Sequence, residues 1–371
     1  MGNQRLHKVL RFLPFCLILV SLVSCGEFTT KDEDVDTGDV GEVHIFLSQE
    51  KLQRLYSSVT TDSYTSCTIE KGKWHGEADV KVRGLATRML HKKSFALKID
   101  GKKYMLERGQ ENGGLYNRIA MRAYQLAGVT ACDTESVALF LNDEYLGCYN
   151  FITYYDPDFM SGELYKCWFS YTSDMSRNHP LISETEKKFP KDDDMSNMEH
   201  LIYACSSLSE TDWQKFVNKN VDIEKTATYL AVHDFLTVID TNRTNYYIQY
   251  DGKYRIIPWD NEQCLLKGNE REEYSLCGGN QLMRRLATVP EIKAAYNQKM
   301  QNLFTGGGAT CILDQIKEEA GTMFDELCTA MKSDPVYGTS RDKFMNIKAY
   351  VLKYLDKDTG RATEGDKLVL H

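Results

Sequence analysis

The sequence predicts an α+β chain, and three observations predict it. The first half alternates apolar and polar residues in short runs separated by Gly, Asn and Asp, the pattern of half-buried strands. From Asp192 onward the apolar residues recur at helical spacing, in longer segments with polar caps. One further strand pattern interrupts that helical half: Tyr246 to Tyr250, the turn residues Asp251-Gly252, then Tyr254 to Pro258.

Taken in order, Glu42 to Leu47 reads as a strand and Ser48 to Ser57 as a helix capped by Ser48. Glu77 to Arg83 places Ala78, Val80 and Val82 on one face, and Ser94 to Ile99 is its natural partner. Asp100-Gly101 turns the chain into Lys103 to Leu106. Tyr116 to Ala127 is helical and stops at Gly128. Glu135 to Leu141 and Tyr145 to Thr153 form a hairpin around Asn142-Asp143, so this half reads as a twisted antiparallel sheet with one helix. Helices follow over Asp194 to Ser207, Glu210 to Asn218 and Ile223 to Val238, the last capped by Asp222. Beyond the hairpin come Gln281 to Ala287, Val289 to Leu303, Leu313 to Met331 and Arg341 to Leu355. Gly306-Gly307-Gly308 lacks the Lys-Ser/Thr of a phosphate-binding loop and reads as a linker.

Chemistry concentrates around the interrupting hairpin. Asp240 precedes Asn245 by five residues, and Asp260 follows the return strand. The hairpin brings Asn245 and Asp260 to one end of a two-stranded ribbon, with Asp240 a short way upstream. One Asn and one or two carboxylates suit Mg²⁺, which keeps few protein ligands and fills its shell with phosphate and water. Protein kinases use the same order of parts: an Asp that orients the acceptor hydroxyl, an Asn on Mg²⁺, and a later Asp on Mg²⁺ against the phosphates.

The stretch resembles the CotH kinase family, the spore coat protein H-like atypical protein kinases. Asp240, Asn245, Tyr246, Trp259 and Asp260 match its signature of Asp, a short gap, His-Asn-Tyr, a hairpin and Trp-Asp-x-Asp. Upstream, Val82-Arg83-Gly84 with Lys92-Lys93-Ser94-Phe95, then Asn117-Arg118-Ile119-Ala120, then Leu141 to Tyr149 are similar to family segments in the same order. The resemblance spans residues 43 to 355 and departs at four places. Thr244 replaces the His, Glu262 the second Asp and Tyr116 an Arg, and no Glu follows Tyr149 in Asn150-Phe151-Ile152-Thr153.

The resemblance implies a two-lobe layout: a sheet-rich N-terminal lobe over residues 43–191 and a mainly helical C-terminal lobe over 192–371. It implies ATP and Mg²⁺ as cofactors, with phosphoryl transfer to a protein hydroxyl. Asp240 would orient that hydroxyl, Asn245 and Asp260 would hold the metal, and Glu262 would reach a second metal or steady Asp260. Fixed positive charge against the phosphates would come from Arg83, Lys93, Lys98, Arg118 and Lys166, the last in Leu164-Tyr165-Lys166. The alternative is a catalytically inactive kinase-like domain that binds a partner protein or polymer.

The N-terminus sets the compartment. Arg5, Lys8 and Arg11 precede an apolar run from Phe12 to Val23, too short to span a bilayer and shaped as a signal peptide over residues 1–24. Leu22-Val23-Ser24-Cys25 resembles a bacterial lipobox, with Cys25 as the lipidated first residue of a membrane-anchored envelope protein. Residues 25–42 read as a flexible acidic tether. The net charge is −8, and more negative once the signal is removed, which argues against a nucleic-acid binder. Of eleven Cys, nine remain after Cys16 and Cys25; none forms a CxxC, and Cys264 with Cys277 is the pair placed for a bridge.

Overall fold

A computed structural model describes residues 35–57, 62–84, 87–167, 185–239, 245–265, 280–306, 308–338 and 340–356. Seven strands close into a barrel: β1 (Gly41–Phe46), β2 (Thr65–Lys71), β3 (Trp74–Arg83), β4 (Ser94–Ile99), β5 (Lys102–Arg108), β6 (Thr134–Leu141) and β7 (Glu144–Thr153). Their order is β1-β2-β3-β4-β5-β7-β6, and β1 closes the ring in parallel against β6. The twisted antiparallel sheet expected from the sequence is thus closed into a barrel by one parallel pairing. β2 was not read, because Thr65, Cys67 and Ile69 alternate inward among polar neighbours without a strong apolar signal. It gives β1 a partner on its second side, and closure leaves no unpaired edge.

The barrel is filled by side chains such as Val43, Ile45, Ile69, Val80, Leu97 and Leu139, joined by Leu55 from α1 (Gln49–Ser57). Ser48 caps that helix, accepting from the Lys51 amide at 3.3 Å. The β6–β7 turn places Asn142 and Asp143 at φ 49° and 66°, the two left-handed residues of a type I′ turn. The acidic stretch read as tether is part of the fold from residue 35 on: Val40 is buried and Glu42 already lies in β1.

A second sheet comprises β8 (Glu163–Cys167), β9 (Thr185–Phe189), β10 (Tyr246–Tyr250) and β11 (Tyr254–Pro258), in the order β11-β10-β8-β9. It draws strands from both sides of residue 191, so the helical segment begins only after β9 and the sheet unites the two halves. The hairpin has the bounds expected, but its turn holds three residues, with Gly252 alone at positive φ (95°), where two were expected.

The second sheet is buried on both faces. Leu164, Tyr247 and Ile257 meet the outer face of the barrel through Met105 and Ile152. Tyr165, Cys167, Tyr246, Ile248, Tyr254 and Ile256 belong to a larger core shared with the helices. These are α2 (Leu115–Leu126), α3 (Ser196–Ser207), α4 (Glu210–Asn220), α5 (Ile223–Phe235), α6 (Gln281–Ala287), α7 (Pro290–Phe304), α8 (Leu313–Lys332) and α9 (Arg341–Tyr354). Side-chain caps on Ser209, Asp222, Asn280 and Ser340 start α4, α5, α6 and α9. α2 packs on β6, and α8 on β7 and α2. Below α8, buried Asp334 accepts from Lys92 Nζ at 2.5 Å and from the Cys148 amide at 2.8 Å, pinning the helical layer to the barrel. A Cβ on Gly147 would lie 2.2 Å from Asp334 Oδ2, so only glycine leaves room for that ion pair. Among the described residues, no helix is long and apolar enough to cross a membrane.

Candidate functional site

The site lies between the outer face of the barrel and the end of the β10–β11 hairpin. Tyr246 pairs with Pro258, so Asn245 and Trp259 leave the ladder together at that end. The chain then takes a left-handed step at Asp260, with φ 58°. A non-glycine residue adopts that conformation at a cost, and held strain of this kind clusters at functional sites. The step alternates the next side chains: Asp260 and Glu262 are partly exposed, while Asn261 between them is fully buried.

Asn261 fixes this turn to the barrel. Its amide donates to Asn117 Oδ1 on α2 at 3.0 Å. Asn117 Nδ2 in turn donates to Glu107 Oε2 on β5 at 2.8 Å. Asn150 on β7, directly across the ladder from Glu107, donates to the same oxygen at 3.1 Å and to the Gly114 carbonyl at 2.7 Å. Asn150 lies so close to Gly114 that a Cβ there would sit 2.6 Å from its Nδ2, and Gly114 has φ 84°.

Three carboxylates converge. Glu107, Asp260 and Glu262 each offer an oxygen within 4.8 Å of the others. Burial, then Asp260 and Glu262, push the Glu107 carboxyl up to about 8, against the pull of its two Asn donors. Gln110 Nε2 donates to Glu262 Oε2 at 3.1 Å. Glu107 was not singled out from the sequence. A Glu in Leu106-Glu107-Arg108 near a strand end resembles any solvated position; only the register with Asn150 exposes its place. It supplies a carboxylate next to the β7 segment that lacks one.

Positive charge stands beside this cluster. Arg83, the last residue of β3, lies in one row with Ser94, Glu107 and Asn150 across the outer barrel face. Its guanidinium carbon is 5.8 Å and 5.9 Å from the ring centroids of Tyr154 and Trp259. Burial works against its charge, yet Tyr154 and Asp260 hold its proton more tightly than usual. Its Nη1 is buried with no hydrogen-bond partner among the described residues. Lys166 on β8 approaches the Trp259 ring to 5.7 Å. Burial, then Arg83 and Lys188, push its amine down to about 8, with Asp260 opposing.

The structure thus brings Arg83, Lys166, Asp260 and Glu262 together, with Asn245 at the same hairpin end. The other expected phosphate contacts have different partners. Lys93 Nζ donates to the Arg88 and Leu90 carbonyls at 2.9 and 3.0 Å, closing the short turn before β4. Lys98 Nζ lies 4.1 Å from the Tyr64 ring centroid, four residues down β4 from Ser94. Arg118 Nη1 donates to Ser136 Oγ at 3.1 Å and pairs with Glu326 at 3.4 Å. Asp240, Thr244, Cys277 and Cys25 lie outside the described residues; Cys264 is buried, with its thiol against the Tyr116 carbonyl at 3.5 Å. Trp259 and Tyr246 are buried.

Residues 80–335 match the family model described as CotH kinase protein, and every residue of the cleft falls within that span. The chain belongs to the CotH kinase family. Within that range of similarity, the inner spore coat protein H of Bacillus subtilis (strain 168) is 18% identical over 344 residues, covering 84% of this chain and 93% of its own. Among solved structures, the Helicobacter pylori proinflammatory kinase CtkA is 11% identical with a TM-score of 0.31, covering 75% of this chain and 95% of its own. HipA of Shewanella oneidensis MR-1, solved with HipB and operator DNA, is 10% identical with a TM-score of 0.37, over 89% and 75% of the two chains. Both superpositions are loose, and the assignment rests on the family match. This CotH family member is a kinase-like protein of mixed helix and sheet.

Proposed function

We propose that this CotH family protein transfers the γ-phosphate of ATP to a protein hydroxyl, at a Mg²⁺ site formed by Glu107, Asp260 and Glu262. The observation that carries this reading is the convergence of those three carboxylates beside Arg83 and Lys166. Burial first, and then the neighbouring Asp260 and Glu262, raise Glu107, and a hard divalent cation, which takes carboxylate oxygens as ligands, would offset that crowding. Asn245 supplies a further amide oxygen at the same hairpin end. When bound, Mg²⁺ supplies positive charge against the phosphate oxygens.

The chain's own residues do the rest. Arg83 holds a buried Nη1 that has no hydrogen-bond partner among the described residues, a donor available to an anionic oxygen. Lys166 adds a second cation from the facing sheet, and a phosphate beside it would restore its full charge. Trp259 lies beneath both cations and keeps water from their apolar side. Asp240, five residues before Asn245, is assigned to orient the acceptor hydroxyl and accept its proton. Cys25 would carry the lipid anchor, placing the acceptor in the cell envelope.

The inactive alternative draws on Thr244 and Tyr116, which stand where the family carries His and Arg. One assay separates the two: γ-labelled ATP with Mg²⁺, wild type beside Asp240→Ala and Asp260→Ala. The kinase reading requires label transfer by wild type. It requires a loss on the order of 10²–10⁴-fold in Asp240→Ala with nucleotide binding retained. Binding and turnover should both fail in Asp260→Ala. Nucleotide binding without any transfer by wild type would establish the inactive form.

A further inference from the structure

We propose that a lysine strip beside the cleft, formed by Lys103, Lys188 and Lys191, docks an acidic segment of the phosphoacceptor protein about four residues from its hydroxyl. The proposal deepens the kinase reading and rests on it for the identity of the partner.

Strand alternation sets the geometry. On β5, Glu107, Met105 and Lys103 point to the outer face of the barrel, while Leu106 is in its interior. Lys103 is therefore four residues from the carboxylate cluster, roughly 13 Å along the strand. An extended acceptor segment spans that distance in about four residues. On the facing sheet, Lys166 pairs with Glu186, and Lys188 follows two residues later on the same face. Lys191 comes just after β9, its Nζ reaching the Lys187 carbonyl at 3.4 Å. The strip thus continues outward from Arg83 and Lys166 along both walls.

Lys103 is exposed and lies directly across the β4–β5 ladder from Lys98, a like-charge pairing that destabilises a sheet. Among the described residues neither Lys103 nor Lys191 has a carboxylate in ion-pair contact. Among the described residues the acids nearby are few: Glu186 pairs with Lys188 at 2.7 Å, Asp62 with Lys81 at 2.8 Å, and Asp79 faces Lys98 across β3–β4. Burial, then Lys191, Lys98 and Lys81, lower the Lys103 amine, so the lysines crowd one another. A chain of net charge −8 has gathered three lysines next to its cleft, two of them without an ion-pair carboxylate among the described residues, and an acidic partner complements them.

The test uses the full chain and a fluorescein-labelled peptide with one Ser and a run of Glu centred four residues away. A second peptide carries Gln in place of Glu. Anisotropy, read without nucleotide, should show wild type preferring the Glu peptide by about tenfold or more, with the preference falling as salt rises. Lys103→Glu with Lys191→Glu should lose the preference, while its melting temperature and its Mg-ATP thermal shift stay at wild-type values. Equal affinity of wild type for the two peptides, or a preference kept by the double variant, would overturn the proposal. A heparin probe bound more tightly than the Glu peptide and lost in the same variant would assign the strip to a polysaccharide and overturn it too. Failure of the kinase reading shows separately, as a wild type that gives no Mg-ATP shift.

Discussion

Asn117 holds Glu107 and the Asp260 turn at once: its Nδ2 donates to Glu107 Oε2 at 2.8 Å while its Oδ1 accepts from the Asn261 amide at 3.0 Å. One buried amide therefore sets the spacing between a strand carboxylate and a loop carboxylate that are more than 150 residues apart in sequence. Asn117→Ala takes away the Oδ1 acceptor of the Asn261 amide and one of the two donors to Glu107. Leaving a buried polar group unsatisfied costs about 1–3 kcal/mol. The variant should unfold at lower urea and bind Mg-ATP more weakly, both read from one titration series. A variant with wild-type stability and affinity would show that the bridge is not what positions the cluster.

Glu107→Gln separates stability from function. Above about pH 8, where the Glu107 carboxyl is ionised, the substitution removes one of three crowded charges and keeps an oxygen to accept from Asn117 and Asn150. In EDTA at that pH the variant should melt above wild type, since a strained charged site is relieved. In Mg-ATP the order should reverse, because the wild type gains ligand stabilisation and the variant gains little. Differential scanning fluorimetry in the two buffers checks both signs. A variant that melts below wild type in EDTA would mean that Glu107 is stabilised where it stands.

Much of the fold was legible. The hairpin strands Tyr246–Tyr250 and Tyr254–Pro258 and the helix Gln281–Ala287 have the bounds read from the sequence, because aromatic runs and caps mark them strongly. β8 and β9 were missed because Glu163-Leu164-Tyr165-Lys166-Cys167 and Thr185-Glu186-Lys187-Lys188-Phe189 are short and charged. Leu164, Tyr165, Cys167 and Phe189, with the stem of Lys187, make the burial. Arg83, Lys166, Asp260 and Glu262 could be named as candidates from order along the chain, whereas Glu107 depends on the β5–β7 register, which no local pattern encodes. Lys93, Lys98 and Arg118 shared charge and neighbourhood with Arg83; their directions were set by the 3-10 turn, by Tyr64 and by α8.

His233 makes the fold sensitive to mild acid. Burial alone lowers its imidazole to about 3, against 6.5 in the unfolded chain. The folded state keeps it neutral, so its contribution is full above about pH 6.5 and declines as pH falls, because only the unfolded state takes up the proton. The slope is about 1.4 kcal/mol per pH unit for one proton. Urea midpoints measured from about pH 7 to pH 5 should fall for wild type and stay flatter for His233→Gln, which cannot titrate. Parallel curves for the two proteins would contradict this.

The lipidation proposed for Cys25 has its own consequence. Cys25→Ala should move the protein from the membrane pellet to the soluble fraction of expressing cells, followed by immunoblot. Retention in the pellet at the wild-type level would remove the lipobox reading and leave the cleft untouched.

The central claim is that Glu107, Asp260 and Glu262 hold a metal-bound nucleotide. Calorimetric titration of ATP into the full chain, in Mg²⁺ and in EDTA, beside Asp260→Ala, tests it most directly. The account predicts saturable binding by wild type in Mg²⁺, none in EDTA, and none by Asp260→Ala in either buffer, with the variant's melting temperature close to wild type. Binding of equal strength in Mg²⁺ and EDTA, or full binding by Asp260→Ala, would contradict it.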